Sequence, residues 1–259
     1  MGTPILEVKG LSFGYGGAPF FKDISFTVRR GDFIFLLGEN GSGKSTLMRL
    51  LCGILNPLAG DIKYQGKKLS QYTRRELARY ISLAGDEVPQ DFPLIVRDYV
   101  SLGVFPRRGF FGVFSDEDRR DVEESMEQMG ISPLSERYLH ELSSGERQRA
   151  LLAKALVQQG ELLLFDEPGA HLDLRNSLQI FSILNGQVDE GKTVIVSSHD
   201  PNITGRFGRS VLLLKGGKIV SFGKGEEVLT EWTLRDAFGI EVRVDRNPLT
   251  GTPRITIVE

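Results

Sequence analysis

Three short apolar runs interrupt an otherwise mixed chain, and each stops abruptly at polar or glycine residues. Phe33-Ile34-Phe35-Leu36-Leu37 ends at Gly38, Leu162-Leu163-Leu164-Phe165 at Asp166, and Thr193-Val194-Ile195-Val196 at Ser197-Ser198-His199. Unbroken runs of this length suit parallel strands buried on both faces. Their shared polar endings put a site at the carboxyl edge of an open α/β sheet. Ile24-Ser25-Phe26-Thr27-Val28 alternates instead and reads as a half-exposed strand. Helical patterns lie between these runs, over Ser45 to Leu55, Thr73 to Tyr80, Asp116 to Met129, Gly145 to Gln159 and Leu174 to Val188. Val211 to Val220 reads as a β-hairpin around Gly216-Gly217. The tail beyond Gly239 alternates weakly, as an edge strand would.

From about residue 67 to 139 no buried-strand run is visible, so this stretch is expected to be a helical insertion in the α/β body. Within it, Phe105 to Phe114 holds four phenylalanines and two arginines, a patch that is either local core or an exposed contact surface. With no repeat and no low-complexity linker, the expected organisation is one domain over 1–259, returning to the α/β body at about 140–259.

Composition narrows the partners more than the fold. The 259 residues carry 32 Lys plus Arg against 34 Asp plus Glu, a net charge of −2. Such a balance points to no nucleic-acid partner and no anionic membrane surface. Cys52 is the single cysteine, which excludes an internal disulfide and fits a reducing compartment. Within Leu50-Leu51-Cys52 it reads as core. No run approaches the ~18–20 apolar residues a spanning helix needs. The first residues lack a basic region followed by a long apolar run. The expected chain is soluble or peripheral, with any membrane spanning left to other subunits.

Candidate chemistry gathers at the run ends. Gly38-Glu39-Asn40-Gly41-Ser42-Gly43-Lys44-Ser45 matches G-x-x-x-x-G-K-[ST]. A polyphosphate needs several backbone N–H groups pointing inward, so the loop must curl tightly, and glycines allow that. A helix starting near Lys44, continuing through Thr46, adds its positive N-terminal end. Lys44 suits the β- and γ-phosphates of ATP, and the Ser45 hydroxyl suits Mg²⁺. Asp166, at the end of a buried strand beside this loop, can complete the Mg²⁺ shell. Glu167, one residue further out, can polarise an attacking water. His199 is either a structural strand-end histidine or a partner of the γ-phosphate or that water. Leu142-Ser143-Ser144-Gly145-Glu146 opens a helix. Its bland reading is a capping box, with Ser143 as N-cap and Glu146 three residues on. Its sharper reading is a second anion site at a helix N-terminus. Two such sites for one nucleotide suggest that copies pair head to tail, each turn closing over the other's ATP.

In these motifs the chain resembles the ATP-binding cassette family over about residues 5 to 240. Ser143-Ser144-Gly145-Glu146 is similar to that family's signature turn, with Ser144 where a glycine is usual. The resemblance implies a P-loop NTPase: a mostly parallel sheet core, an antiparallel β subdomain and a helical subdomain insertion. It implies that Tyr15 stacks on adenine, that Asp173 lies in a loop crossing the dimer interface, and that His199 is a switch histidine. The family's Mg²⁺-sensing glutamine falls at Asp86 by one count and at Gln90 by another; Asp86 would place a carboxylate where an amide is usual. Leu172-Asp173-Leu174-Arg175-Asn176 and Ile95 to Gly103 resemble the importers of iron-siderophore complexes, haem and vitamin B12. The implied partners are a second ATPase subunit, membrane permease subunits and, indirectly, a substrate-binding protein. The implied location is peripheral, on the cytoplasmic face of the inner membrane.

Overall fold

A computed structural model describes residues 2–85, 93–108, 112–170 and 172–258. The chain opens with two antiparallel strands, β1 (Pro4–Phe13) and β2 (Phe21–Arg29), then runs through β3 (Phe33–Leu37) into α1 (Lys44–Leu51). Strands β4 (Ala59–Tyr64) and β5 (Lys67–Lys68) return to the first sheet, whose order is β2-β1-β4-β5. Helix α2 (Arg74–Tyr80) leads without a turn into β6 (Ile81–Ala84). A helical stretch follows: α3 (Val96–Ser101), α4 (Phe105–Arg108), α5 (Asp116–Gln128) and α6 (Ser144–Val157). Then come β7 (Leu162–Phe165), α7 (Leu174–Asp189), β8 (Thr193–Ser198) and α8 (Pro201–Phe207). The hairpin β9 (Ser210–Lys215) and β10 (Lys218–Lys224) leads through α9 (Gly225–Val228) and α10 (Glu231–Phe238) to a last hairpin, β11 (Val242–Arg246) and β12 (Pro253–Ile257).

The central sheet has the order β10-β9-β3-β8-β7-β6. Only the β9–β10 pair is antiparallel. Its interior strands are mostly apolar because they separate two cores. Strand side chains alternate faces, so Phe33, Phe35 and Leu37 join Val100, Val122, Leu152 and Phe181 of the helical side. Ile34 and Leu36 join Leu47 and Leu50 of α1, together with Val8, Phe26 and Ile62 of the antiparallel sheet. Full burial of each such side chain is worth about 1.5–3 kcal/mol. A polar residue at any of these positions would face a core, whichever way its strand turned. The mostly parallel core, the antiparallel sheet and the helical insertion are therefore all present.

Local signals set the helix starts. Capping boxes at Thr73, Ser115 and Ser143 open α2, α5 and α6, and the Asp200 carboxylate caps α8 before Pro201. In the β9–β10 turn Gly216 and Gly217 both take positive φ, 51° and 76°, which is what a two-residue hairpin turn demands. Gly217 also donates to the Ser42 carbonyl at 3.1 Å, so this turn braces the glycine-rich loop.

Two sequence expectations change, over residues 67–139 and in the tail, and others are decided. The stretch 67–139 does contain a buried strand: β6 pairs in parallel with β7. Only four residues long, with Ser82 inside it and no turn before it, it reads as the end of α2. The strand ending at His199 is the neighbour of β3, and it separates β3 from the strand ending at Asp166. The tail is not a lone edge strand but an antiparallel hairpin of its own. Of the two readings of the Phe105–Phe114 patch, the described phenylalanines favour the exposed one over local core. Phe105 and Phe114 are partly exposed, while Arg107 binds Asp121 at 2.8 Å and Arg108 binds Asp118 at 2.9 Å. Burial pushes the Asp118 carboxyl up, but hydrogen bonds from Ser115 and Arg108 outweigh it and hold the group below the usual carboxylate range. Residues 109–111 of this patch lie outside the described residues. Cys52 is half-buried against the α1 side core, as expected.

Candidate functional site

The glycine-rich loop leaves β3 at Gly38 and closes at Gly43, the N-cap of α1, which sits at φ 107°. The first intrahelical bond runs from Leu47 N–H to Gly43 O at 2.8 Å. The N–H groups of Lys44, Ser45 and Thr46 therefore have no acceptor within the helix, as at any helix start. They form a concentration of donors with partial positive charge, suited to phosphate oxygens.

Neighbours fix the glycines here. A Cβ on Gly43 would lie 2.6 Å from the Phe20 ring and 2.7 Å from the Phe21 ring, and Phe21 is fully buried. A Cβ on Gly38 would lie 2.4 Å from the Leu214 carbonyl. Gly43→Ala is therefore expected to combine overpacking, about 1–3 kcal/mol, with an unfavourable φ, and to distort the cradle. Both the melting temperature and ATP affinity should fall; a variant unchanged in urea melts and in nucleotide titrations would contradict this placement.

Lys44 is only 5% exposed. Its ammonium donates to the carbonyls of Gly38 at 2.9 Å and Glu39 at 3.0 Å, and lies 3.5 Å from Glu167 Oε1. A buried charge needs such partners. The cation is thus held at the loop's centre and not left free to swing.

Tyr15, Asn40, Gly41, Gly43, Lys44, Ser45, Thr46 and Glu167 line one cleft of about 500 Å³, joined by Ala18 and Phe20. That volume falls within the range of small-molecule sites. Tyr15 rests edge-on against Phe13, with ring centroids 5.0 Å apart, and its hydroxyl is 3.5 Å from that of Thr46. With 64% of Tyr15 exposed, a flat aromatic ligand can reach its ring. A second cavity adjoins the first through Asn40 and Glu167 and is lined by Ser197, Ser198, His199 and Asp200.

Glu167 is where these cavities meet. Its Oε1 faces Lys44 and its Oε2 is 3.4 Å from His199 Nδ1. Its backbone is left-handed, φ 47°, a conformation costing a non-glycine residue about 1–3 kcal/mol. Two bonds hold it there: Glu167 N–H donates to Ser197 Oγ at 2.8 Å, and its carbonyl accepts from Ala170 N–H at 2.9 Å. Ser197 Oγ in turn donates to Asp166 Oδ1. Ser197, unlike His199, is not singled out by the run end in the sequence. A serine breaking an apolar strand one residue before its end was the available signal.

The Ser45 hydroxyl and the Asp166 carboxylate are hard oxygen donors of the kind Mg²⁺ prefers. Among the described residues no group of three or more acidic, histidine or cysteine side chains gathers as a metal cage. Asp86 and Gln90, the two alternatives for a further Mg²⁺ contact, lie outside the described residues.

Ser143, Ser144, Gly145 and Glu146 line neither cavity, and nor does Asp173. Ser143 N–H and hydroxyl each donate to Glu146 Oε2 at 2.8 Å, and Glu146 N–H returns to Ser143 Oγ at 3.3 Å. These bonds from Ser143 hold the Glu146 carboxyl below its usual range. The capping-box reading is thus correct, and the turn is exposed at the start of α6. Asp173 caps α7, accepting from Asn176 N–H at 2.8 Å. Leu174 beside it is largely exposed.

The chain matches the ABC transporter family profile over residues 21–170. It is 33% identical over 249 residues to the iron(3+)-hydroxamate import ATP-binding protein FhuC of Bacillus subtilis (strain 168), covering 96% of this chain and 93% of that one. It is 35% identical over 250 residues to the hemin import ATP-binding protein HmuV of Bradyrhizobium diazoefficiens, covering 93% and 91%. Among solved structures, a chain of a metal-chelate type ABC transporter in an inward-facing conformation superposes with a TM-score of 0.84 at 27% identity, covering 99% of this chain and 98% of that one. No helix among the described residues is long and apolar enough to cross a membrane.

Proposed function

Because this chain belongs to the ABC transporter family and is one of its ATP-binding ATPases, we propose that it energises import of an iron-siderophore, haem, cobalamin or related metal chelate. The observation that carries the catalytic part is the meeting of Lys44 and His199 on the two oxygens of Glu167, at 3.5 Å and 3.4 Å. A phosphate-binding cation, a carboxylate base and an imidazole then share one point at the mouth of the cleft.

In this reading Tyr15 holds the adenine, and the loop of Gly38, Glu39, Asn40, Gly41, Ser42, Gly43, Lys44, Ser45 and Thr46 holds the phosphates. Ser45 and Asp166, with Asp86 or Gln90, would hold Mg²⁺, which when bound would neutralise phosphate charge. Glu167 takes a proton from the attacking water. His199, fixed against Glu167, donates to the water or the γ-phosphate. Ser143, Ser144, Gly145 and Glu146 close over the ATP of a second copy, and Asp173 lies at that interface. Among the described residues the signature turn lines neither cavity of its own chain, which suits a part used in trans. Hydrolysis removes the γ-phosphate that both copies grip, and the pair opens. The helical insertion passes that motion to permease subunits. The pair, taken here as a homodimer, then works at the cytoplasmic membrane face, indirectly with a substrate-binding protein.

The pairing is testable at Ser143. Ser143→Arg leaves the chain's own cleft untouched, so ATP affinity should stay within about twofold, whereas ATP-driven pairing should weaken at least about tenfold, 1.4 kcal/mol. Light scattering with and without ATP measures this; undiminished ATP-driven pairing by the variant rejects the sandwich. The importer assignment is tested by purifying the chain from membranes. A polytopic partner should accompany it, and an associated binding protein should carry a metal chelate; a membrane-free complex would reject it.

A further inference from the structure

We propose that Ser197 is a positioning residue for hydrolysis, a hydroxyl clamp that sets both carboxylates of Asp166 and Glu167 at once. This inference rests on the roles given above to those two residues.

Ser197 lies at the end of β8, next to the turn that leaves β7. It is fully buried in a strand that is otherwise mostly apolar. A serine hydroxyl has one proton to give and two lone pairs to accept with. Here the proton goes to Asp166 Oδ1, and one lone pair takes Glu167 N–H at 2.8 Å. Two consecutive residues with different duties are thus tied to a single oxygen.

Each bond has its own consequence. With Oδ1 committed to Ser197, the Asp166 carboxylate is oriented, leaving its other oxygen for the cation. With its N–H held, Glu167 stays at φ 47°, and its side chain stays between Lys44 and His199. An apolar residue at 197 would leave Glu167 N–H without this acceptor and free the Asp166 carboxylate to rotate. The strand would still pack, since Ile195 on the same face and Leu36, the partner of Ser197 on β3, are apolar and buried. The hydroxyl therefore serves the site and not the core.

The test compares Ser197→Thr with Ser197→Val, side chains of nearly equal volume that differ by the hydroxyl. Glu167→Gln is assayed beside them. The Thr variant should keep turnover near that of the unaltered chain. The Val variant should lose about 10- to 100-fold in kcat, the usual cost of removing such an outer partner, and need more Mg²⁺ for half-maximal effect. Binding of a fluorescent ATP analogue in EDTA should be equal in both, and should tighten on adding Mg²⁺ only where the hydroxyl is present. Equal turnover in the Thr and Val variants overturns the clamp, as does a loss that follows melting temperature in both. If Glu167→Gln keeps full turnover, the base assignment fails instead, whatever the Thr–Val pair shows. If the Thr variant folds and the Val variant does not, the hydroxyl's role is in folding and the inference is wrong; if the added volume unfolds both, Ser197→Ala replaces them, and turnover equal to the unaltered chain's overturns the clamp.

Discussion

Glu167→Gln should lower ATP turnover by about 10²- to 10⁴-fold, the usual contribution of a positioned general base, while ATP stays bound and the copies stay paired. The replacement keeps the size and shape of the side chain and removes its basicity. Its amide oxygen can still face Lys44, and its backbone can still donate to Ser197, so the local fold has no reason to change. The melting temperature should therefore move little. Removing a negative charge from the mouth of the cleft should leave the affinity for polyphosphate equal or higher, since like charges repel there. ATP-driven pairing should outlast that of the unaltered chain, because the bridge between copies is no longer cut. Phosphate release measures the first effect and gel filtration with ATP the second. Turnover within about twofold of the unaltered chain would remove Glu167 from the chemistry.

The sequence revealed most where chemistry and burial coincide. The runs Phe33–Leu37 and Leu162–Phe165 are β3 and β7 with those limits, because strands buried on both faces read as nearly continuous apolar runs. The glycine-rich loop was legible because its backbone geometry demands residues at fixed spacing. Strand β1 was not: Pro4–Phe13 is bent by register shifts around Gly10, at φ 61°, which hide its alternation. Strand β6 was hidden by length and by Ser82, buried although polar. The run ending at Asp166 does not itself say that β8 lies between it and β3. The carboxylates still reach the loop, because the turn after β7 carries Glu167 across the end of β8. That crossing depends on a left-handed backbone at Glu167 and on the Ser197 hydroxyl. Neither is a property of one residue read alone, so the pattern singles out Glu167 but not what aims it.

Lys44→Ala should act on binding, where Glu167→Gln acts on turnover. The ammonium is nearly buried and tied to two loop carbonyls, so it is already placed for phosphate when ATP arrives. Removing one partner of a buried charge contact costs about 2–5 kcal/mol of binding, so Kd for ATP should rise roughly 30- to 4,000-fold. Fold stability should change much less. The two charge-assisted bonds lost to Gly38 and Glu39 are offset by no longer holding an ammonium out of water. Lys44→Arg separates charge from shape. A planar guanidinium cannot reproduce a point donor aimed at two carbonyls and a phosphate, so it too should bind ATP poorly despite its full charge. Isothermal titration on the three chains decides this; Lys44→Ala binding ATP within about threefold of the unaltered chain would contradict the cradle. Glu167 and Lys44 lie 3.5 Å apart, yet their substitutions should move ATP affinity in opposite directions. A phosphate between them adds an attraction to one and a repulsion to the other, so opposed shifts locate the polyphosphate at that gap. Parallel shifts would mean that the pair is only a structural ion pair.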